Sequence, residues 1–180
     1  EFDKFVWENT FKIIRKWLDE NRTIVPISVN VSRMSLESDA IIGILTNLQK
    51  KYNVPYEYIH FEITESAVMD DKTQLIQRVS KIRELGFDIA MDDFGSGYSS
   101  LNTLKDIPID VLKLDMDFLS GNLKNRKSDN ILTSVIRMAQ SLNLYTIAEG
   151  VETEEQANYL KNIGCNIIQG FYYSKPICQK

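Results

Sequence analysis

Histidine and cysteine are scarce in this 180-residue sequence, which contains only His60, Cys165 and Cys178. One histidine disfavours a zinc site, and any Ser-His-Asp or Cys-His catalytic arrangement would have to use it. The two cysteines lack metal-ligand spacing, and such sparing use is typical of a reducing compartment. We therefore expect a cytosolic protein in which His60 has a structural role.

The sequence also lacks a long apolar run and an excess of basic residues. No segment approaches the ~20 apolar residues of a membrane helix, and no signal segment opens the chain. With 21 basic and 25 acidic residues the net charge is −4, which argues against a non-specific nucleic-acid binder. No Pro/Gly/Ser-rich linker divides the sequence, so we expect one domain over residues 1–180, with no membrane segment and no nucleic-acid polymer as a partner.

What the sequence does contain is an alternation of amphipathic and uniformly apolar segments. Apolar residues at helical spacing predict helices near residues 2–18, 41–48, 75–85, 131–142 and 157–163. Short β-branched runs predict strands at residues 24–31, 59–64, 87–91, 111–114, 144–148 and 166–168. Strands this apolar are typical of buried parallel sheets, so the pattern predicts an α/β fold.

Polar side chains close each apolar run, and successive runs close 20 to 36 residues apart, about one strand-plus-helix unit. The strand-end residues are Asn30, Glu62 with Glu65, Asp92 with Asp93, Lys113 with Asp115, Glu149, and Gln169. In a parallel barrel, side chains at the carboxyl ends of strands converge on one mouth, where the chemistry takes place. We therefore expect a shared polar site; the alternative is that each residue satisfies its own loop.

Carboxylates that crowd together need a cation to neutralise them, and Mg²⁺ or Mn²⁺ prefer such oxygen ligands. The adjacent Asp92 and Asp93 suit sharing between two metal ions, an arrangement that typically performs in-line displacement at phosphorus. The loop that follows contains two glycines, which let the backbone approach a ligand closely. The residues of this candidate substrate loop are Gly95, Ser96, Gly97 and Tyr98.

Six short motifs occur in order over essentially the whole chain: VNVS at 29–32, FEITES at 61–66, DDFGSGYSS at 92–100, LKLD at 112–115, AEGVE at 148–152 and QGF at 169–171. Together they resemble the EAL family of cyclic di-GMP phosphodiesterases, and DDFG followed by AEGVE is highly specific. The resemblance implies a modified TIM (β/α)8 barrel with one antiparallel strand. It also implies hydrolysis of one phosphodiester of cyclic di-GMP to linear pGpG, with Mg²⁺ or Mn²⁺, as two ions.

The resemblance further implies a role for each matching residue. The implied metal ligands are Asn30, Glu62, Asp92, Asp93 and Glu149. The implied catalytic groups are Lys113, which would hold and polarise the attacking water, and Glu149 and Gln169, which would belong to the same network. Glu65 would anchor the glycine-rich loop, and Asp115 and Glu152 would contact the metal ligands rather than the metal itself. The implied enzyme is a cyclic-guanylate-specific phosphodiesterase in the bacterial cytoplasm, or on the cytoplasmic face of a membrane-anchored parent.

One departure from the family concerns the Glu-Ala-Leu segment that names it and whose glutamate binds metal, because that segment does not occur in this sequence. The six predicted strands are also two short of the eight in a TIM-type barrel of ~250 residues. We therefore expect an EAL-type domain that lacks its N-terminal strands, with hydrolysis in the intact parent and weak or no activity in this chain alone. The alternative is an impaired cyclic di-GMP-binding, regulatory or scaffold module.

The remaining expectations concern partners and a third class of function. An incomplete barrel would expose strand edges at residues 24–31 and 166–168, which invites association with another chain, including a homodimer. Members of the family that the sequence resembles are commonly fused to sensory or diguanylate cyclase domains, and nothing in this sequence shows such a fusion. A different metal-dependent TIM-barrel enzyme, such as an enolase-like lyase, would share the strand-end carboxylates but would leave the DDFGSG loop unexplained.

Overall fold

Helices and strands alternate along the chain in the computed structural model, which describes residues 1–68, 72–94, 101–115 and 126–177. The helices are α1 Phe2–Asp19, α2 Arg33–Glu37, α3 Ile41–Tyr52, α4 Lys72–Glu84, α5 Leu101–Asp106, α6 Arg126–Ser141 and α7 Glu154–Asn162. The strands are β1 Ile27–Asn30, β2 Ile59–Thr64, β3 Asp88–Phe94, β4 Val111–Leu114, β5 Tyr145–Ala148 and β6 Ile167–Ile168. Short 3-10 helices span Tyr56–Tyr58 and Glu65–Val68.

All six predicted strands and all five predicted helices are present, and the α/β class is confirmed. The strand order is β1-β2-β3-β4-β5-β6, and β1–β2, β4–β5 and β5–β6 pair in parallel. Two helices were missed, α2 and α5, because they are too short for a helical period to show. Strand β3 was predicted to end at Met91 but continues through Asp92 and Asp93 to Phe94, because polar side chains do not by themselves end a strand.

The chain divides into two compact units, the first formed by Glu1–Ala90 and Ser100–Ile109 and the second by Met91–Ser99 and Asp110–Lys180. In the first unit an aromatic cluster joins α1 to the sheet. Trp7 and Phe61 meet edge to face with ring centroids 5.7 Å apart, and Phe61 and Phe87 meet at 5.0 Å. Phe11 approaches Phe87 at 6.3 Å. Such edge-to-face pairs contribute about 0.5–1.5 kcal/mol each beyond the area they bury.

The second unit is organised around β4 and β5, whose residues are all buried except Tyr145. Leu112 and Leu114 of β4 lie in register with Thr146 and Ala148 of β5, and Ile147 continues the pairing onto β6. Helix α7 begins with a capping box. The Thr153 side chain accepts the Gln156 N–H, and the Gln156 side chain accepts the Thr153 N–H.

A polar contact ties α1 to α3 in the first unit. Lys51 Nζ donates to Glu8 Oε1 at 2.7 Å, and the Tyr52 hydroxyl donates to the same oxygen at 2.8 Å. The hydrogen bond from Lys51, which has the larger effect, and the one from Tyr52 together lower the pKa of Glu8 to about 2. No helix in the described part of the chain combines the length and the apolar character that crossing a membrane requires.

We expect the Glu8 contact to persist at pH 4 and to break as the pH falls toward 2. Because the folded-state pKa lies below the ordinary value of 4.5, the contact stabilises the fold above that value and is lost on acidification. A carbon-detected NMR titration of the Glu8 carboxyl should give a midpoint near 2. The same titration after Lys51→Met should move the midpoint upward, and a wild-type midpoint at 4.5 would contradict the assignment.

Candidate active site

Three neighbouring strands of the second unit end at the same level, which explains why the residues after them come together. Leu114 of β4 is in register with Ala148 of β5, and Ala148 is in register with Ile168 of β6. The ladder continues one step further, since Glu149 N–H donates to Leu114 O at 3.0 Å and Gln169 N–H donates to Ala148 O at 2.8 Å. The next residues along the three strands are Asp115, Glu149 and Gln169.

Lys113 forms the centre of this end of the second unit. Its Nζ lies 3.0 Å from Asp92 Oδ1 and 3.0 Å from Glu149 Oε1, and its side chain is only 6% exposed. A buried ammonium is costly unless carboxylates and hydrogen bonds surround it. The two carboxylates are 15% and 26% exposed, so the cation is enclosed while its partners reach solvent.

Asp93 departs from ordinary strand geometry. Its φ is 56°, in the left-handed region, and its own N–H donates to Asp92 Oδ1 at 3.1 Å. Aspartate is among the few residues with a side chain that enter this region, usually at some cost in backbone energy. Asp93 is exposed, whereas the half-buried Asp92 contacts Lys113.

The segments after β5 and β6 cross closely and form a cavity of about 280 Å³. Val151 N–H donates to Gln169 O at 3.1 Å, and Tyr172 N–H donates to Val151 O at 3.0 Å. The cavity is lined by Glu149, Gly150, Glu152, Gln169, Gly170 and Phe171. Gly150 has φ 70°, and a Cβ on Gly170 would overlap the Val151 backbone. Neither glycine was assigned a role from the sequence, although both lie within the AEGVE and QGF motifs.

In the first unit, Asn30 and Glu62 lie side by side across the β1–β2 pair, in register with each other. Glu62 is buried, with 6% of its surface exposed, whereas Asn30 at the end of its strand is exposed. Glu65 is also buried, at 5% exposure, and opens the 3-10 helix that follows β2. Asn30 and Glu62 are thus brought together, as the strand-end pattern predicts.

Other predicted residues have simpler placements. Asp115 is half-buried after β4, and Glu152 is exposed at the cavity rim, where its backbone N–H donates to the Gln156 side chain at 2.9 Å. His60 Nε2 lies 3.3 Å from Asp88 Oδ2 within the first unit. The candidate substrate loop, Gly95 to Tyr98, lies outside the described residues.

The chemistry of the donor set fits a divalent cation of the Mg²⁺ or Mn²⁺ type. Within the second unit the oxygen donors are the carboxylates of Asp92, Asp93 and Glu149. Among the described residues no three acidic, histidine or cysteine side chains gather into one metal-binding cluster. The roles of these residues as ligands therefore stay predictions.

The family model for the EAL domain matches residues 1–176. This chain belongs to the EAL domain family. The signaling protein YkoW of Bacillus subtilis is 36% identical over 177 residues, which cover 98% of this chain and 22% of YkoW. The bifunctional diguanylate cyclase/cyclic di-GMP phosphodiesterase MucR of Pseudomonas aeruginosa is 30% identical over 177 residues, 98% of this chain and 26% of MucR. This EAL chain thus spans about a quarter or less of the length of these curated relatives.

Solved EAL structures confirm the fold. The EAL domain of Mycobacterium smegmatis DcpA matches with a TM-score of 0.90 and 35% identity, covering 98% of this chain and 80% of that one. The PaMucR phosphodiesterase in complex with c-di-GMP matches with a TM-score of 0.88 and 31% identity, covering 97% and 70%. The TIM-barrel-like α/β fold expected from the motifs is therefore the fold of this EAL domain.

Proposed function

We propose that residues 1–180 belong to one EAL-type domain that, in the intact parent protein, hydrolyses cyclic di-GMP to linear pGpG in the cytoplasm, with weak activity in this chain alone. The family contains cyclic di-GMP phosphodiesterases, and the MucR relative is named as one. The observation that carries the proposal for this chain is Lys113, enclosed between Asp92 and Glu149 at the carboxyl ends of β3, β4 and β5. If each residue only satisfied its own loop, these side chains from different strands would not need to contact one another.

The residues present suit the opening of a phosphodiester by water. Lys113 supplies a fixed positive charge that attracts a water oxygen and stabilises negative charge as it develops on phosphate. Asp92 and Glu149 hold that ammonium in place, so that it needs no reorganisation when substrate arrives. Gln169, at the rim of the same cavity, offers an amide that donates to one oxygen and accepts from one hydrogen of a water.

The residues that would hold metal are Asn30, Glu62, Asp92, Asp93 and Glu149. A bound divalent cation supplies charge neutralisation and lowers the pKa of water. Asp93, exposed beside Asp92, suits a shared second ion, because adjacent carboxylates repel each other unless a cation lies nearby. One water is consumed for each phosphodiester opened.

We expect slow formation of pGpG when the purified chain, in excess over cyclic di-GMP, is incubated with Mn²⁺, and none after chelation with EDTA. Asp92→Asn should reduce the rate by about 100-fold, since it removes a carboxylate that holds Lys113 and is a candidate ligand. The control is Asp106→Asn, the same chemical change at an exposed position of α5. Chromatographic separation of the two nucleotides provides the measurement, and unchanged turnover in Asp92→Asn would refute the assigned mechanism.

A second candidate function is binding of cyclic di-GMP without turnover. It is favoured by the absence of a Glu-Ala-Leu sequence from the chain, because the family motif supplies a metal ligand. Calorimetric titration with cyclic di-GMP, with and without Mn²⁺, separates the two functions. Binding that leaves the nucleotide intact would support the second candidate over hydrolysis.

A further inference from the structure

Helix α1 holds the backbone at the end of β1 from one side. Trp7 Nε1 donates to Asn30 O at 3.0 Å, and the Asp3 carboxylate accepts the Ser32 N–H at 2.8 Å. Asp3 and Trp7 are four residues apart in α1 and therefore lie on one face of the helix. Both hydrogen bonds lie within the first unit, and they hold the backbone at the residues immediately before and after Val31.

The same indole also packs against the strand that carries Glu62, the second candidate ligand of this unit. Trp7 is 1% exposed, and its ring meets Phe61, the residue before Glu62, at a centroid distance of 5.7 Å. Val31 N–H donates to Glu62 O at 2.8 Å, so the strand end that Trp7 holds is bonded directly to Glu62. One side chain thus contacts the backbone of Asn30 and the neighbour of Glu62.

We propose that Trp7 is a positioning residue for Asn30 and Glu62, an inference that rests on the proposed metal-dependent function. The peptide plane between Asn30 and Val31 is held at both of its polar atoms, because Asn30 O accepts from the Trp7 indole and Val31 N–H donates to Glu62 O. The indole N–H fixes the Asn30 carbonyl and, through it, the direction of the Asn30 side chain. Groups that orient ligands in this way typically change metal affinity by about 10–100-fold when they are removed.

The chain provides a matched control in the same helix. Trp17, ten residues after Trp7, also has a buried indole nitrogen, but that Nε1 has no hydrogen-bond partner among the described residues. Replacing either tryptophan with phenylalanine removes an N–H and reduces the ring by a similar volume. Only the replacement of Trp7 removes a hydrogen bond to the strand end.

The experiment compares Trp7→Phe with Trp17→Phe by two measurements that need no turnover. The first is Mn²⁺ affinity, from the electron paramagnetic resonance signal of free Mn²⁺. The second is the hydrogen-exchange rate of the Val31 amide in metal-free protein. We expect Trp7→Phe to weaken Mn²⁺ binding about tenfold and to speed Val31 exchange by a similar factor. Trp17→Phe should leave both within twofold of wild type.

The outcomes distinguish the inference from the function on which it rests. Wild-type Mn²⁺ binding with equal affinity in Trp7→Phe would overturn the role of Trp7 and leave the proposed function standing. Failure of the wild-type chain to bind Mn²⁺ would overturn both. If Trp7→Phe does not fold, benzothienylalanine at position 7, which replaces the N–H with sulfur and keeps the ring shape, makes the same comparison.

Discussion

Replacing Lys113 with alanine should slow pGpG formation by about 100-fold or more. The substitution removes the ammonium that lies 3.0 Å from Asp92 Oδ1 and 3.0 Å from Glu149 Oε1. A preorganised donor of this kind stabilises charge that develops in the transition state, and losing one typically costs roughly 10²–10³ in rate. The measurement is a single-turnover assay with the chain in excess over cyclic di-GMP.

The same variant should be less stable, because the two carboxylate oxygens lie within about 6 Å of each other and would lose their shared cation. Loss of a charged hydrogen-bond partner typically costs about 1–3 kcal/mol. Both carboxylates reach water, which places the expected loss at the lower end of that range. Mn²⁺ should therefore raise the melting temperature of Lys113→Ala more than that of wild type, since it neutralises the same pair.

Lys161→Ala is the control for Lys113→Ala, because Lys161 is an exposed lysine of α7 outside the candidate site. Its rate and melting temperature should match wild type. A Lys113→Ala rate within threefold of wild type would show that Lys113 takes no part in the chemistry. A lost rate in both lysine variants would instead point to a general effect of charge.

The strand-end pattern was a good guide to the candidate site because the strands are parallel and in register. Lys113 is in register with Ile147 of β5, and Glu149, two positions after Ile147 and just past the end of β5, therefore lies at the same end of the sheet. The spacing of polar residues along the sequence therefore predicts which side chains lie close together wherever neighbouring strands end at the same level.

Association through the outer edges of β1 and β6 stays a prediction.

Other features depend on contacts through space, which spacing does not encode. Hydrophobic periodicity predicts none of three features of the structure. These are the left-handed backbone of Asp93, the hydrogen bond from Trp7 to Asn30 O, and the close approach of Gly170 to the Val151 backbone. The AEGVE and QGF motifs do contain the relevant glycines. The sequence does not show that the Val151 backbone leaves no room for a side chain at position 170.

Gly170→Ala should destabilise the chain by about 3 kcal/mol and distort the cavity beside Glu149. A Cβ at this position would overlap Val151 O and N and would lie 2.7 Å from the Val151 carbonyl carbon. Val151 cannot move aside easily, because its N–H is bonded to Gln169 O and its O accepts from Tyr172 N–H. Overpacking of this kind costs about 1–3 kcal/mol, and each broken hydrogen bond adds about 1 kcal/mol.

Thermal unfolding measures the effect of Gly170→Ala, and Gly43→Ala supplies the matched control. For a chain of this size about 3 kcal/mol corresponds to a fall of roughly 10 °C in melting temperature. A Cβ at Gly43 meets nothing within 4 Å, and the position is helical in α3, so Gly43→Ala should raise stability by about 0.5 kcal/mol. Because the chemical change is identical, opposite signs isolate the contact with Val151. A Gly170→Ala chain as stable as wild type would mean that the crossing of the two segments is looser than its hydrogen bonds indicate.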